Sequence, residues 1–200
     1  NQNIIFYTSI LRDCANSKDK ESLFQLGKLA ESNTNCLDVN SKCIQYYKEA
    51  SQLGHIESTR RLFYLYKKCK LSEESNKLLR FLVTINDPEY IFIQAKQYYA
   101  SAKYDESLRL LTIFMPFQHP KLLKLYGDHL LNGHRLEKNI ELAKKYYIAS
   151  YKNYLQAGKA LADIYSKGND CNPDILKAKK FLDYARKNAS PRMQKKYTRL

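Results

Sequence analysis

The chain reads as an all-α solenoid, a right-handed superhelix of about five antiparallel helix pairs. Three observations predict this. Residues Tyr126-Gly127, Leu130, Gly133, Leu136, Ala143, Tyr146-Tyr147 and Ser150 superpose without a gap on Leu161-Ala162, Tyr165, Gly168, Cys171, Ala178, Phe181-Leu182 and Ala185, 35 positions further on. The same frame, moved back by 100, fits Leu26-Gly27, Ala30, Cys36, Cys43, Tyr46-Tyr47 and Ala50. A fixed period in the thirties, with small residues in two slots and aromatics in a third, is the mark of a helical repeat array. Finally, 6 Gly and 5 Pro in 200 residues are few, which favours helices over turn-dense β structure, and a hydrophobic content of 44% suffices for a continuous core.

The elements follow in order along the chain. Residues 3–16 carry Ile4, Ile5, Tyr7, Ile10, Leu11 and Cys14 at helical spacing. They look like the second helix of a repeat whose first helix is missing, which suggests a fragment of a longer protein, as does a start at Asn1 rather than Met. Five pairs are expected next, at 20–32 with 41–53, 55–68 with 72–85, 88–102 with 105–114, 120–132 with 137–152, and 155–167 with 173–188. Residues 190–200 form a basic terminal helix or tail, and no internal domain boundary is expected. Gly54, Gly133 and Gly168 stand where a helix end wants a left-handed residue. Asp87-Pro88 and Asn172-Pro173 each place proline at a first helical position behind a capping side chain. Pro116 halts the helix before it, because it has no N–H to donate.

The small slots have a mechanical reading. Gly27, Ala95, Gly127 and Ala162 fall where the helices of a hairpin cross most closely, and a large side chain there would push the axes apart. Tyr46, Tyr47, Tyr146, Tyr147, Phe181 and Leu182 fill the volume between successive pairs, as core rather than as a base-stacking platform. Lys144 is expected on the outer face. Cys36, Cys43 and Cys171 occupy repeat slots and read as small apolar fillers. Five cysteines with no CxxC and no Cys/His pairing argue against a zinc site and lean toward a reducing compartment with all five as thiols, though the location is otherwise unknown.

These residues resemble the Sel-1-like repeat, a subclass of the tetratricopeptide superfamily. The resemblance is carried by Ala157, Leu161-Ala162, Tyr165, Gly168, Cys171, Asp174, Lys177-Ala178, Phe181-Leu182 and Ala185 in the fifth pair, and by Leu26-Gly27, Lys42-Cys43, Tyr46-Tyr47, Ala50 and Leu53-Gly54-His55 in the first. Pairs two and three have lost the long loop and look like plain tetratricopeptide repeats. Lys103-Tyr104-Asp105-Glu106-Ser107-Leu108 resembles that class's turn, and Ser75 and Ser107, like Pro88 and Pro120, are 32 apart. The resemblance implies a non-catalytic adaptor that binds other proteins, with the first helix of each pair lining a concave surface. It makes His55 a turn residue.

No GxSxG, P-loop, GxGxxG or HExxH occurs, and His129 and His134, five apart around a helix end, do not form an i, i+4 ligand pair. No enzyme, cofactor or metal is implied. The charge is lopsided instead, with 34 Lys and Arg against 20 Asp and Glu, a net +14 that favours an anionic partner. Transferring the inward slots by register gives a candidate partner-binding groove of Lys28, Arg60, Tyr64, Lys67, Phe92, Lys96, Tyr99, Lys124, Asp128, Lys159, Asp163 and Lys167. Aromatic anchors beside cations suit an acidic, partly aromatic peptide. Nucleic acid is the alternative, disfavoured because no repeat carries a regular base-reading pair. A peripheral contact with an anionic membrane through the basic C-terminal end is the third reading, since Lys177–Leu200 holds nine basic residues against Asp183. No apolar run is long enough to span a bilayer.

Overall fold

The computed structural model describes residues 2–16, 18–33, 41–168, 172–194 and 197, without the side chains of 2–7, 33 and 117. Among the described residues there are twelve α-helices, a 3-10 turn and no strand. The chain divides into two compact units, Asn1–Asp87 and Pro88–Leu200, where the sequence reading sets no internal boundary.

The first unit holds α1 (Gln2–Asn16), α2 (Lys20–Asn33), α3 (Lys42–Gln52), α4 (Ile56–Lys68) and α5 (Ser72–Thr84). Helix α2 pairs with α3 and α4 with α5, α3 packs on α4, and α1 lies against α2. Local chemistry sets the ends. The Asp19 carboxylate accepts the Ser22 N–H at 2.8 Å, capping α2. Gly54 closes the α3 end at φ +79°, a left-handed conformation in which an L side chain is strained. His55 then caps α4, its Nδ1 accepting the Ser58 N–H at 3.1 Å. The turn role expected of His55 is thus a cap. The core gathers Phe24, Cys43, Ile44, Tyr47, Leu62, Leu65 and Tyr66 from three helices.

The second unit holds α6 (Pro88–Ala100), α7 (Tyr104–Phe114), the 3-10 turn (Met115–Phe117), α8 (Pro120–Asn132), α9 (Ile140–Ser150), α10 (Leu155–Lys167), α11 (Ile175–Asn188) and α12 (Pro191–Gln194). Its pairs are α6 with α7, α8 with α9 and α10 with α11, joined by α7 and α6 on α8 and by α9 on α10. Pro116 falls in the 3-10 turn just after α7, as expected. Gly133 and Gly168 are left-handed C-caps at φ +70° and +62°. Two starts fall later than the sequence suggests. Helix α9 begins at Ile140 because Asn139 Oδ1 takes the Leu142 N–H at 2.8 Å. Helix α11 begins at Ile175 because Asp174 Oδ1 takes the Lys177 N–H at 2.9 Å, so Asp174 and not Asn172 is the cap. The same bond lowers the Asp174 pKa below its ordinary value.

Gly27 and Gly127 sit under rings, not under a bare backbone crossing. A Cβ at Gly27 would stand 2.6 Å from Tyr47 Cε1, and one at Gly127 would stand 2.6 Å from Tyr147 Cε1. Each tyrosine ring therefore lies in the notch left by the glycine of its own hairpin, which corrects the expectation that these rings fill only the space between pairs. Tyr47 and Tyr147 are fully buried, and burying a large side chain of this kind is worth about 1.5–3 kcal/mol. Each hydroxyl still finds an acid. Tyr47 donates to Glu31 Oε2 at 2.7 Å and Tyr147 to Asp128 Oδ1 at 2.8 Å. Burial first, then the neighbouring carboxylate, pushes both phenol pKa values well up.

Two further expectations change. Lys144 is buried, 8% exposed, because the next pair covers it: its ammonium lies 5.5 Å from the centre of the Tyr165 ring and pairs with Glu141. Cys43 is buried as expected, but it is disulfide-bonded, so the expectation of five thiols fails and with it the ground for a reducing compartment. Cys36 and Cys171 lie outside the described residues.

Candidate functional site

In the first unit the expected groove residues lie on α2 and α4. Lys28 is exposed, with its ammonium 5.6 Å from the centre of the Phe24 ring. Lys67 repeats that arrangement over Phe63 at 5.5 Å. In both cases a phenylalanine four residues earlier on the same helix holds the cation by its π face, which limits the freedom of the lysine before any ligand arrives. Lys28 lines a hollow of about 230 Å³ with Glu31, Ser32 and Arg61. Tyr64 is 45% exposed and packs edge-on against Phe63. Arg60 is engaged inside the fold: it reaches Asp87 at 2.6 Å and Glu57 at 3.2 Å. Its neighbour Arg61 lines the hollow instead. The register argument missed Arg61 because it carried one slot across all the repeats.

In the second unit all five residues expected on α8 and α10 line two hollows. Lys124, Lys159 and Asp163 line a hollow of about 430 Å³ together with Gln156, Ala160, Met193 and Tyr197. Asp128, Asp163 and Lys167 line a second hollow of about 170 Å³ with Leu131, Tyr147, Ala160 and Ile164. Ala160 and Asp163 belong to both, so the two hollows adjoin on the face of α8 and α10. Asp128 is largely structural, because it holds Lys124 at 2.7 Å as well as the Tyr147 hydroxyl. Lys159 and Lys167 are exposed cations. Sequence reasoning missed Gln156, Met193 and Tyr197. The last two come from the terminal segment, expected to be a basic tail, of which α12 and the buried Tyr197 pack back on Ala162, Ala178, Leu182 and Ala185.

On α6 the expected residues divide. Phe92 is buried, 8% exposed, and meets Tyr154 edge-on at 6.1 Å, so it supports the face from beneath and is not offered to a ligand. Lys96 and Lys121 both lie over its ring, at 5.8 and 5.7 Å. Lys121 is also paired with Glu89, whereas Lys96 is exposed. Tyr99 is half-buried, and Asn132 donates to its hydroxyl at 3.0 Å. Burial raises the Tyr154 pKa to about 12, so this phenol is a neutral donor, to Gln156 Oε1 at 2.6 Å.

The histidines make no ligand set. His129 is fully buried between α7 and the end of α8, with Nε2 3.0 Å from Ser107 Oγ and Nδ1 3.2 Å from the His134 carbonyl oxygen. The rings of Tyr99, Tyr104 and His134 surround it, and burial lowers its pKa. Among the described residues no group of three or more His, Cys, Asp or Glu is placed to hold a metal ion, and no helix is long and apolar enough to cross a membrane.

Comparison of the structure with solved ones finds a crystal structure of a Sel1 repeat protein from Oxalobacter formigenes, at a TM-score of 0.67 and 17% identity, covering 87% of this chain and 75% of that one. It also finds c5321, a protective antigen of uropathogenic Escherichia coli strains with an SLR fold, at a TM-score of 0.69 and 16% identity, covering 95% of this chain and 43% of that one. The fold is that of a Sel1-like repeat protein. No protein-family model matches the sequence, and a comparison with curated proteins finds no match. Within a Sel1-like repeat fold, the glycine–tyrosine notches and aromatic stacks above belong to the scaffold.

Proposed function

We propose that the chain is a non-catalytic protein-interaction scaffold that holds an acidic peptide segment on the first-helix face of its second unit. The observation that carries this reading is that two adjoining hollows are edged by the exposed cations Lys159 and Lys167, beside a Lys124 that Asp128 holds. The Tyr197 and Met193 side chains supply apolar wall for a flanking aromatic or aliphatic residue of the peptide. Asp128 and Asp163 set register, because a carboxylate must approach the lysines while avoiding them. The Sel1-like repeat fold supports a scaffold role, and the net +14 charge supports an anionic partner.

The test is selection of short peptides from a random library on the immobilised chain, with nuclease present. Acid-rich peptides with an aromatic residue are expected, with affinity falling as salt rises. Lys159→Glu with Lys167→Glu should weaken the selected peptides by about tenfold or more, the equivalent of a lost charge-paired contact. Lys48→Glu with Lys145→Glu, exposed on the second helices, changes net charge equally and should cost far less. Enrichment without acidic bias, or equal losses in the two variants, would reject the reading.

A further inference from the structure

Helix α11 carries at its exposed tip a leucine that the repeat does not account for. Slots 35 apart compare pair four with pair five. Ile140 is 6% exposed because it packs with Ala157 and Leu161 of the following helix. Its counterpart Ile175 is 52% exposed, as befits a stacking residue with no repeat beyond it among the described residues. Leu176 is different. Its counterpart is Glu141, which is exposed even though a further pair follows it. Slot 176 therefore faces solvent by the geometry of the repeat, and there a leucine stands 83% exposed, next to Ile175.

The rest of that face is basic. Lys179, Lys180, Arg186 and Lys187 are exposed, with Asp183 as the acid among them. Leu176 and Lys180, like Ile175 and Lys179, are four residues apart and so lie one above the other on the helix. Two apolar side chains at the head of a helix, backed by cations on the next turns, fit the boundary between headgroups and acyl chains of an anionic bilayer. The apolar pair leaves water there, while each lysine or arginine near the surface is drawn by the anionic lipids. We infer that the exposed face of α11 is a peripheral contact with an anionic phospholipid surface, with Ile175 and Leu176 entering the interface and Lys179, Lys180, Arg186 and Lys187 meeting the headgroups. A membrane is favoured over an acidic protein because Ile175 and Leu176 stand exposed together at a helix start, and a fluid interface accepts such side chains without a matching pocket. The surface is separate from the lysine face of α8 and α10, so the two can be tested apart.

The chain has no tryptophan, which makes Leu176→Trp a single reporter at the tip. With vesicles of phosphatidylcholine and phosphatidylserine, its emission should shift to the blue and be quenched by brominated acyl chains. Phosphatidylcholine vesicles alone should give little of either. In vesicle co-sedimentation of the full chain, Ile175→Glu with Leu176→Glu should lower binding by about tenfold or more. Gln52→Glu with Thr112→Glu, which adds the same two charges at exposed positions elsewhere, should lower it much less. Circular dichroism checks that each variant keeps its helices. Equal losses in the two variants would mean adsorption by net charge, and would overturn the proposal. So would an unshifted, unquenched tryptophan on serine-containing vesicles. A tip variant that binds vesicles normally but loses poly-glutamate or single-stranded nucleic acid would assign the face to those polymers instead.

Discussion

Pairs four and five of the second unit are built on one frame and solve its packing differently. In pair four the first helix offers Gly127 and the second fills the notch with the Tyr147 ring. In pair five the first helix offers Ala162, and the facing slot holds the smaller Leu182 in the same buried cluster. Volume lost on one helix is returned on the other, as close packing requires. Pair one, in the other unit, repeats the glycine–tyrosine solution with Gly27 and Tyr47. The two solutions differ in polarity as well. The tyrosine brings a hydroxyl that must be answered, and Asp128 answers it, whereas the leucine asks for nothing. The frame thus constrains summed volume and leaves chemistry open.

The sharpest way to break this comparison is to empty the tyrosine slot. Tyr147→Ala removes a fully buried ring and should cost about 3–5 kcal/mol in urea unfolding. A cost below about 1 kcal/mol would mean that the notch collapses and does not need the ring. Next comes Gly127→Ala, whose Cβ would intrude on Tyr147 and should cost about 1–3 kcal/mol. Adding Tyr147→Leu transplants the pair-five solution and should recover part of that loss. If the double variant is no better than the sum of the singles, the volume exchange is not the rule linking the two slots.

A third difference is ionisable. His129 in pair four stands where pair five has Ile164, and both are buried. Burial holds the His129 pKa below 6.5 in the fold, while the unfolded chain takes up its proton near 6.5. The unfolded state therefore binds more protons as pH falls below 6.5, so stability is complete above that value and declines toward the depressed folded pKa. His129→Gln, which keeps a partner for Ser107, should flatten this decline in urea midpoints measured from pH 7.5 to 5. An unchanged slope would place the acid sensitivity elsewhere.

The smallest effect separates a covered lysine from an uncovered one. Lys144→Ala should cost about 0.5–1 kcal/mol through its lost contact with the Tyr165 ring. Lys179→Ala, in the same slot but exposed, should stay within about 0.5 kcal/mol of the original stability. Equal costs would show that covering by the next pair gives Lys144 nothing.

The sequence by itself determined the pairs, their order and their small and aromatic slots, because helical periodicity and closest approach act on side-chain size, which is written in each residue. Repeat register put Lys28, Lys67 and Lys96 among the candidate residues without showing that each ammonium lies over a phenylalanine four residues earlier. Only the tertiary structure decided which of the candidate charges are engaged within the fold. Arg60 and Lys124 are expected in the same slots as Lys96 and Lys159, yet Arg60 is bound to Asp87, 27 residues away, and Lys124 to an Asp128 that Tyr147 holds in place. Nor could the pattern show Tyr197 folding back to wall the larger hollow. Charge pairing over long separations depends on distances of a few ångströms between helices, and those are set by how every pair packs on the next.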